Sequence, residues 1–327
     1  MSSHHKSRIG VLRGGPSPEY ESSLETGRVL LSHLPESVLP VDLYIDRAGR
    51  WHHDGRESAP HEVLRRVDAV LNALHGAYGE DGGVQEVLEA YQMPFSGPRR
   101  LPAALSQNKA LAKTILRKNG IQTPEFRVIR RISDDSLPAL SAQLFRSFPQ
   151  PSIVKPVRNG SSIGVSRVLR EEDLPYALSL AFHHGADALI EEYIEGREVV
   201  CGVIEAFRNE ARYTLLPAEI KTAEGAPLLE HSARQSGGYR VASPAALTES
   251  EKEAVQNGAA RAHTLLGLRH YSSSDFIIHP TRGVYFLEID ALPSLALHSP
   301  FAASLAAIGC PIPHFTDHLI SLAFGRK

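Results

Sequence analysis

The sequence predicts a mixed α/β and α+β chain in three consecutive units, the first built on an open parallel sheet. Three observations carry this. Short apolar strands alternate with helix-spaced segments through the N-terminal third. Strands joined by polar Gly-containing turns take over further on. Between them, Pro94, Gly97, Pro98 and Pro102 punctuate the chain. The units expected are 1–102, 103–190 and 191–327, and 327 residues suffice for two or three separate cores.

In the first unit, Ile9-Gly10-Val11-Leu12 reads as a strand that breaks at Arg13-Gly14-Gly15-Pro16-Ser17-Pro18. Leu24, Leu30, Leu31 and Leu34 then recur at helical spacing from Glu19 to Leu34. Val38 to Asp46 and Ala69 to Leu74 are further strands, the latter entering a Gly-rich loop, His75 to Gly83, before a helix over Val84 to Tyr91. Ligands of such a sheet bind at the carboxyl ends of its strands. The second unit predicts one helix from Ala103 to Asn119 with Gly120 just past its end. Strands at Glu125–Ile129, Ser152–Lys155, Val165–Leu169 and Ala188–Tyr193 follow, with helices over Leu137–Ser147 and Glu171–Ala181 between them. The third opens on the strand Glu198 to Glu205, and Thr222 to Ser243 reads as a long polar loop without period. After a helix over Glu249–Leu266, strands Ser274–Ile278 and Val284–Ile289 flank His279-Pro280-Thr281-Arg282-Gly283 as an antiparallel pair, and a helix over His314–Ala323 ends the chain.

Composition narrows the class. Lys and Arg number 35 against 37 Asp and Glu, a formal charge of −2, which argues against a general nucleic-acid binder. No apolar run is long enough for a membrane span, and the polar start Met1-Ser2-Ser3-His4-His5-Lys6 lacks the apolar segment of a secretory signal. Cys201 and Cys310 lie in apolar surroundings without CxxC spacing, as buried thiols of a reducing compartment do. The expectation is a cytoplasmic protein with no nucleic-acid or membrane partner. The 16 histidines show no zinc-site spacing.

Three clusters can carry chemistry. Asn159-Gly160-Ser161-Ser162-Ile163-Gly164 is a Gly/Ser hairpin loop that suits closing over a polyphosphate, with Lys155 adding a fixed cation; the plain alternative is a connector. Glu191-Glu192-Tyr193-Ile194 followed by Glu198 forms either a solvated strand end or an edge for a nucleobase and a ribose. Asp275, Glu288 and Asp290 are the metal candidates. Period two puts Glu288 and Asp290 on one face, and the turn lets Asp275 face them. Carboxylates among Phe276-Ile277-Ile278 and Phe286-Leu287 repel unless a cation neutralises them, and hard oxygen ligands favour Mg²⁺ shared with phosphate.

These pieces, in this order, resemble the D-alanine–D-alanine ligase family of the ATP-grasp superfamily from Gly14-Gly15 to His298-Ser299. The densest matches are Gly14-Gly15-Pro16-Ser17-Pro18-Glu19, Ala73-Leu74-His75-Gly76, Gly79-Glu80-Asp81-Gly82, Val154-Lys155-Pro156 and Gly160-Ser161-Ser162-Ile163-Gly164. The resemblance implies an ATP-grasp fold behind the N-terminal sheet domain, and a ligase that forms D-alanyl-D-alanine for peptidoglycan through an acyl phosphate. It implies that Glu19 binds the first D-alanine and that His75 lines the same subsite. Lys109 and Lys155 would hold the nucleotide phosphates, Ser161 and Ser162 would cover them, Glu191, Glu192, Tyr193 and Ile194 would meet the adenine, and Glu198 the ribose. Asp275, Glu288 and Asp290 would hold Mg²⁺, with Mn²⁺ an acceptable substitute, and His298 and Ser299 would lie by the second D-alanine. A homodimer through the first unit is implied by analogy.

Four positions depart from the family pattern, three of them (Ser273, Ser294 and Ala233-Arg234) away from the nucleotide and metal ligands. Ser273 stands where the family has an oxyanion-stabilising Arg, and Ser294 where it has a Gly contributing a backbone N–H. A left-handed backbone at Ser294 would cost of order 1 kcal/mol relative to Gly. Ala233-Arg234 replaces a Lys-Tyr pair, and the family's Asn is Asp290 here. These departures leave two other readings open: the same chemistry on a different substrate pair, or a nucleotide-binding protein that has lost the ligase step.

Overall fold

Strand β1 (Arg8–Gly14) is the buried axis of the first sheet, flanked in parallel by β2 (Leu39–Ile45) and β5 (Ala69–Asn72). The computed structural model describes residues 6–158, 160, 162–222 and 239–325. Its parallel strands match the expectation from alternating strand and helix segments. The antiparallel edge β3 (Trp51–His53) and β4 (Arg56–Glu57) does not follow from that pattern, because both strands are too short to show a period. Helices α1 (Tyr20–Ser32), α2 (Pro60–Leu64) and α3 (Gly83–Ala90) belong to this unit. At the carboxyl end of β1, Gly14 (φ 93°) tolerates only glycine, since a Cβ there would lie 2.1 Å from the Ile45 carbonyl oxygen. Its N–H donates to Ser23 Oγ (2.8 Å), and that hydroxyl donates to the Ala73 carbonyl (2.9 Å). The turn after β1, helix α1 and the loop after β5 are thereby fixed to one another.

The helix expected over 103–119 is two helices, α4 (Arg100–Gln107) and α5 (Lys109–Lys118). Asn108 interrupts them with an extended backbone (φ −90°, ψ 95°), and its side chain accepts the Leu111 N–H at 3.0 Å. Asparagine offers this capping alternative to a continued helix. Asn108→Ala is expected to lower unfolding free energy by about 1 kcal/mol, read as a lower urea midpoint. The break sets the start of α5, and with it Lys109, beside the next sheet.

That sheet is wholly antiparallel, in the order β6 (Phe126–Arg130), β9 (Asp187–Glu192), β7 (Ser152–Pro156), β8 (Ser166–Val168). Helices α6 (Leu137–Ser147) and α7 (Leu174–His184) cover one face through Leu144, Leu178, Val154 and Ile190. The third sheet contains β10 (Arg197–Phe207), β11 (Glu210–Thr214), β12 (Ala218–Thr222), β13 (Tyr239–Ala242), β14 (Tyr271–His279) and β15 (Gly283–Asp290). β13 corrects the expectation of a structureless polar stretch to Ser243: Tyr239–Ala242 pairs with β12, Thr222 opposite Tyr239. Four residues with one charge are too few to announce a strand by period. Residues 223–238, including Ala233 and Arg234, lie outside the described residues.

Helix α8 (Glu249–Leu265) lays Val255, Ala259 and Ala262 over Phe276 and Phe286, on one face of the third sheet. On the other, α9 (Pro300–Ala307) and α10 (Ile312–Ala323) bring Phe301, Leu305 and Phe315 onto Tyr271 and join them to Ile9, Val29 and Leu71 of the first unit. Arg269 Nε donates to the Gly97 carbonyl (2.6 Å) and His270 Nδ1 accepts the Gly97 N–H (3.1 Å), closing the seam. The loops at the ends of β1, β5 and β15 therefore meet. Both cysteines are buried thiols without a disulfide, and burial pushes Cys201 up to about 12. Among the described residues no helix is long and apolar enough to cross a membrane.

Candidate active site

A cavity of about 560 Å³ opens between the second and third sheets. Lys155 on β7, Glu191 and Glu192 on β9, Glu198 on β10, and Asp275 and Glu288 on β14 and β15 all line it, with Lys109 at the start of α5. Tyr193 and Ile194 line its edge, and Gly160 and Ser162 represent the Gly/Ser loop. Ser162 holds a left-handed backbone (φ 58°). Ser161 lies outside the described residues.

Lysines and carboxylates alternate behind the cavity wall. Glu191 Oε2 lies 3.0 Å from Lys155 Nζ, and Glu191 Oε1 lies 3.1 Å from the wholly buried Lys113 Nζ. Glu288 Oε2 lies 3.4 Å from Lys109 and 3.9 Å from Lys155. Burial alone would neutralise these groups. It pulls Lys113 down to about 8, Glu191 opposing. For Lys155 burial also pulls downward, but Glu191, Glu288 and Asp275 outweigh it and the ammonium is held above its ordinary value. Burial would raise Glu191, yet Lys113 and Lys155 hold it below the ordinary carboxylate range. Charge is thus retained in a dry wall, where it acts on a bound anion with little screening.

Glu192 turns its carboxylate to Arg282 (2.7 Å), and the Arg167 guanidinium sits 4.0 Å over the Tyr193 ring, so these two side chains are engaged away from a ligand edge. Lys113, Arg197, Glu219 and Lys221 were not among the expected site residues. Lys113 had a signal, standing four after Lys109 on one helix face. Arg197 donates to both oxygens of Glu219 (2.9 and 3.1 Å) at the cavity wall.

Asp275 faces Glu288 directly across the β14–β15 ladder, and Ser273 faces Asp290. Among the described residues, no three His, Cys, Asp or Glu side chains lie close enough to hold a metal ion. Asp290 is exposed and Glu288 is turned to the lysines, so the trio is no preformed cage. The donor chemistry nevertheless fits Mg²⁺, which usually takes one or two carboxylates and completes its shell with phosphate and water.

The other expected residues gather at the loop ends of the first sheet, outside this cavity. Glu19, buried at the start of α1, places Oε1 against two glycines: a Cβ would lie 2.9 Å away at Gly76 and 2.8 Å away at Gly160. One carboxylate thus touches both the loop after β5 and the Gly/Ser loop. His75 is buried, which pushes its imidazole below the ordinary value, and Nε2 lies 2.8 Å from Thr26 Oγ1. Ser273 is 3% exposed, on the face of β14 shared with Asp275 and Tyr271. Ser294 has no left-handed backbone, so the anticipated cost relative to glycine does not arise. Ser299 caps α9, accepting Ala302 N–H (3.1 Å), and donates to the Ser294 carbonyl (2.7 Å); His298 is exposed.

Glu80 was legible only as part of a motif. Its Oε2 accepts the Gly76 N–H at 2.7 Å, and burial, reinforced by Asp290 and Glu19, raises the carboxyl well above its usual range. Because the folded value exceeds the unfolded one, deprotonating Glu80 destabilises the fold as pH rises through the folded value. Glu80→Gln is expected to flatten that slope, so that the variant gains stability relative to wild type from pH 5 to pH 8, read by urea unfolding at both pH values.

Two antiparallel sheets closed on a cavity lined by lysines and carboxylates, behind a parallel sheet that brings its strand-end loops alongside, make the layout of the ATP-grasp fold. Sequence profiles described as D-ala D-ala ligase N-terminus and C-terminus match residues 54–98 and 115–321. The D-alanine–D-alanine ligase of Pelotomaculum thermopropionicum is 31% identical over 322 residues, covering 97% of this chain and 96% of its own. That of Desulforudis audaxviator is 34% identical over 324 residues, covering 98% and 99%. Among solved structures, the VanG D-Ala:D-Ser ligase from Enterococcus faecalis superposes with a TM-score of 0.82 at 25% identity, covering 98% of this chain and all of that one. The Coxiella burnetii D-alanine–D-alanine ligase gives 0.81 at 25%, covering 98% and 94%. The chain belongs to the D-alanine–D-alanine ligase family.

Proposed function

We propose that this protein joins D-alanine to D-alanine at the expense of ATP, in the cytoplasm, for peptidoglycan synthesis. The observation that carries the reading is a nucleotide-sized cavity between the second and third sheets whose wall sets Lys155 beside Glu191 (3.0 Å) and Lys109 beside Glu288 (3.4 Å). The adenine amine meets the strand end at Glu191, and the backbone of 192–194 and Glu198 offer the rest of the nucleoside edge. Lys109 and Lys155 neutralise the phosphates, and Ser162 and Gly160 close over them. Asp275 and Glu288, with Asp290, would hold Mg²⁺, which offsets charge on the transferring phosphoryl group.

In this reading Glu19 binds the ammonium of the first D-alanine, whose carboxylate attacks the γ-phosphoryl group to give an acyl phosphate and ADP. The amine of the second D-alanine attacks the acyl carbon, the tetrahedral oxyanion collapses, and phosphate leaves. Ser273 brings no cation to that oxyanion, so the backbone N–H of the loop at Ser294 carries more of its stabilisation. His298 and Ser299 border the acceptor. A homodimer through the first unit belongs to the same reading, on family analogy.

Ser273 also favours a second reading, with a changed acceptor; the D-Ala:D-Ser specificity printed for the VanG neighbour makes D-serine the first alternative to try. The test is ADP release from Mg·ATP with and without D-alanine, the product identified by mass. D-alanyl-D-alanine is expected. ADP release only with D-alanine plus another amino or hydroxy acid would shift the acceptor, and no amino-acid-dependent ADP release would overturn the ligase.

A further inference from the structure

The loop after β15 is held by contacts that run through the Ser294 hydroxyl. Thr26, 1% exposed on α1, places Oγ1 2.8 Å from His75 Nε2, 3.4 Å from Ser294 Oγ and 3.4 Å from the Leu295 nitrogen. The donors and acceptors of these groups match. The imidazole is kept neutral by burial and also donates to the Leu292 backbone, so Nε2 is an acceptor. Thr26 donates its single hydroxyl proton to Nε2 and keeps two lone pairs, one for the Ser294 hydroxyl and one for the Leu295 N–H. Ser294 Oγ in turn accepts the Ala296 N–H at 3.2 Å, and the Ser294 carbonyl accepts Ser299 Oγ at 2.7 Å. Below, the Leu292 side chain packs into the space left at Gly97, where a Cβ would lie 2.4 Å from Leu292 Cδ2. Glycine at 294 would lack the hydroxyl and leave one Thr26 lone pair without a donor.

We propose that Ser294 acts as a positioning residue, tying the loop after β15 to α1 and the first sheet through Thr26 and His75 and so fixing the acceptor half of the site. His75 then works through the Leu292 backbone and Thr26 rather than by touching the first substrate. The proposal rests on the ligase reading for its catalytic consequence, but the tie itself is testable without it. A fixed loop matters most in a chain that lacks the arginine, since a backbone donor is effective only when preorganised.

The experiment compares wild type, Ser294→Ala, Thr26→Val, the double variant and Thr26→Ser. By amide hydrogen exchange, the Leu295 amide is expected to exchange about five- to tenfold faster in Ser294→Ala, the scale of one lost hydrogen bond, while the Val154 amide in the second sheet is unchanged. In kinetics, each single variant should raise the KM for the acceptor D-alanine and lower kcat by a similar factor, with the KM for ATP unchanged. The double variant should be no worse than Thr26→Val, and Thr26→Ser should retain wild-type behaviour. Unchanged Leu295 exchange in Ser294→Ala, or fully additive kinetic losses, would overturn the proposal. A wild type without dipeptide synthesis would sink the ligase reading alone, and the exchange result would still decide the tie.

Discussion

Replacing Ser273 by arginine is expected to raise kcat for dipeptide synthesis by about ten- to a hundredfold, with the KM for ATP unchanged. A buried residue on β14, Ser273 is two before Asp275, opposite Asp290 on β15 and opposite Gly202 on β10. The Gly202 side is filled, since a Cβ there would lie 2.5 Å from Leu215 Cδ1 and 2.8 Å from Phe301 Cε2, so an arginine at 273 has to run towards Asp290 on β15. The charges that surround the position are negative: Asp290 and Asp275 on the neighbouring pairs, and Glu80, whose field also reaches Tyr271 on the same face of β14. A guanidinium placed there meets counter-charges that offset its desolvation, and its fork can serve an oxyanion and a phosphate oxygen together. One oxyanion donor is worth about 10²–10³ in kcat; competition from Asp290 and Glu80 for the new cation keeps the expected gain below the top of that range. A folded Ser273→Arg protein with unchanged kcat would mean that the oxyanion is already served by another group. The same variant should bring Glu80 down towards the ordinary carboxylate range, so its unfolding curve should lose part of the pH slope assigned to that carboxyl.

How much of this was legible in the sequence depends on whether a residue's partner is local. β1, α1 and β5 followed from apolar runs and helical spacing. The pairing of Asp275 with Glu288 followed from period two and a short turn, and the structure has them opposite each other. The nucleotide wall was legible as a set of residue types but not as a lattice. Nothing in the sequence near Lys113 indicates that it meets Glu191, 78 positions away, and a lysine on a helix ordinarily faces water. Thr26 and Ser294 are separated by 268 positions, so their contact exists only once the first and third sheets pack through Tyr271, Phe301 and Leu71. The break at Asn108 was local and still missed. Apolar spacing continues through the interruption, and the decisive event is a single side chain capping its own backbone. Motif resemblance supplied the roles. It did not reveal that Ser299 is engaged in capping α9, or that His75 is spent on Thr26.

Glu191→Gln is expected to lower unfolding free energy by about 3–5 kcal/mol and to abolish stabilisation by Mg·ATP. The carboxylate is 2% exposed and is the common counter-ion of Lys113 and Lys155, both buried. Neutralising it leaves two ammonium groups facing each other across the cavity wall, and the amide presents an N–H₂ towards at least one of them. Removing one partner of a buried pair is costly because the remaining charge keeps its desolvation penalty without its attraction. The sign of the pH dependence follows from Lys113. Burial already brings it to about 8, below the unfolded value, so between those values the unfolded chain binds the extra proton and stability rises with pH. Without Glu191 the folded value falls further and the window extends to lower pH. The deficit of the variant should therefore be wider at pH 7 than at pH 9, where Lys113 is neutral in the fold. Urea unfolding at both pH values, with and without Mg·ATP, measures each part. A compensating double variant, Lys113→Met with Glu191→Leu, should recover much of the stability, since apolar replacement of a buried pair is often neutral, yet it should not recover nucleotide binding. Recovery of both would remove Glu191 from the nucleotide site and leave the lysine–carboxylate lattice a purely structural one.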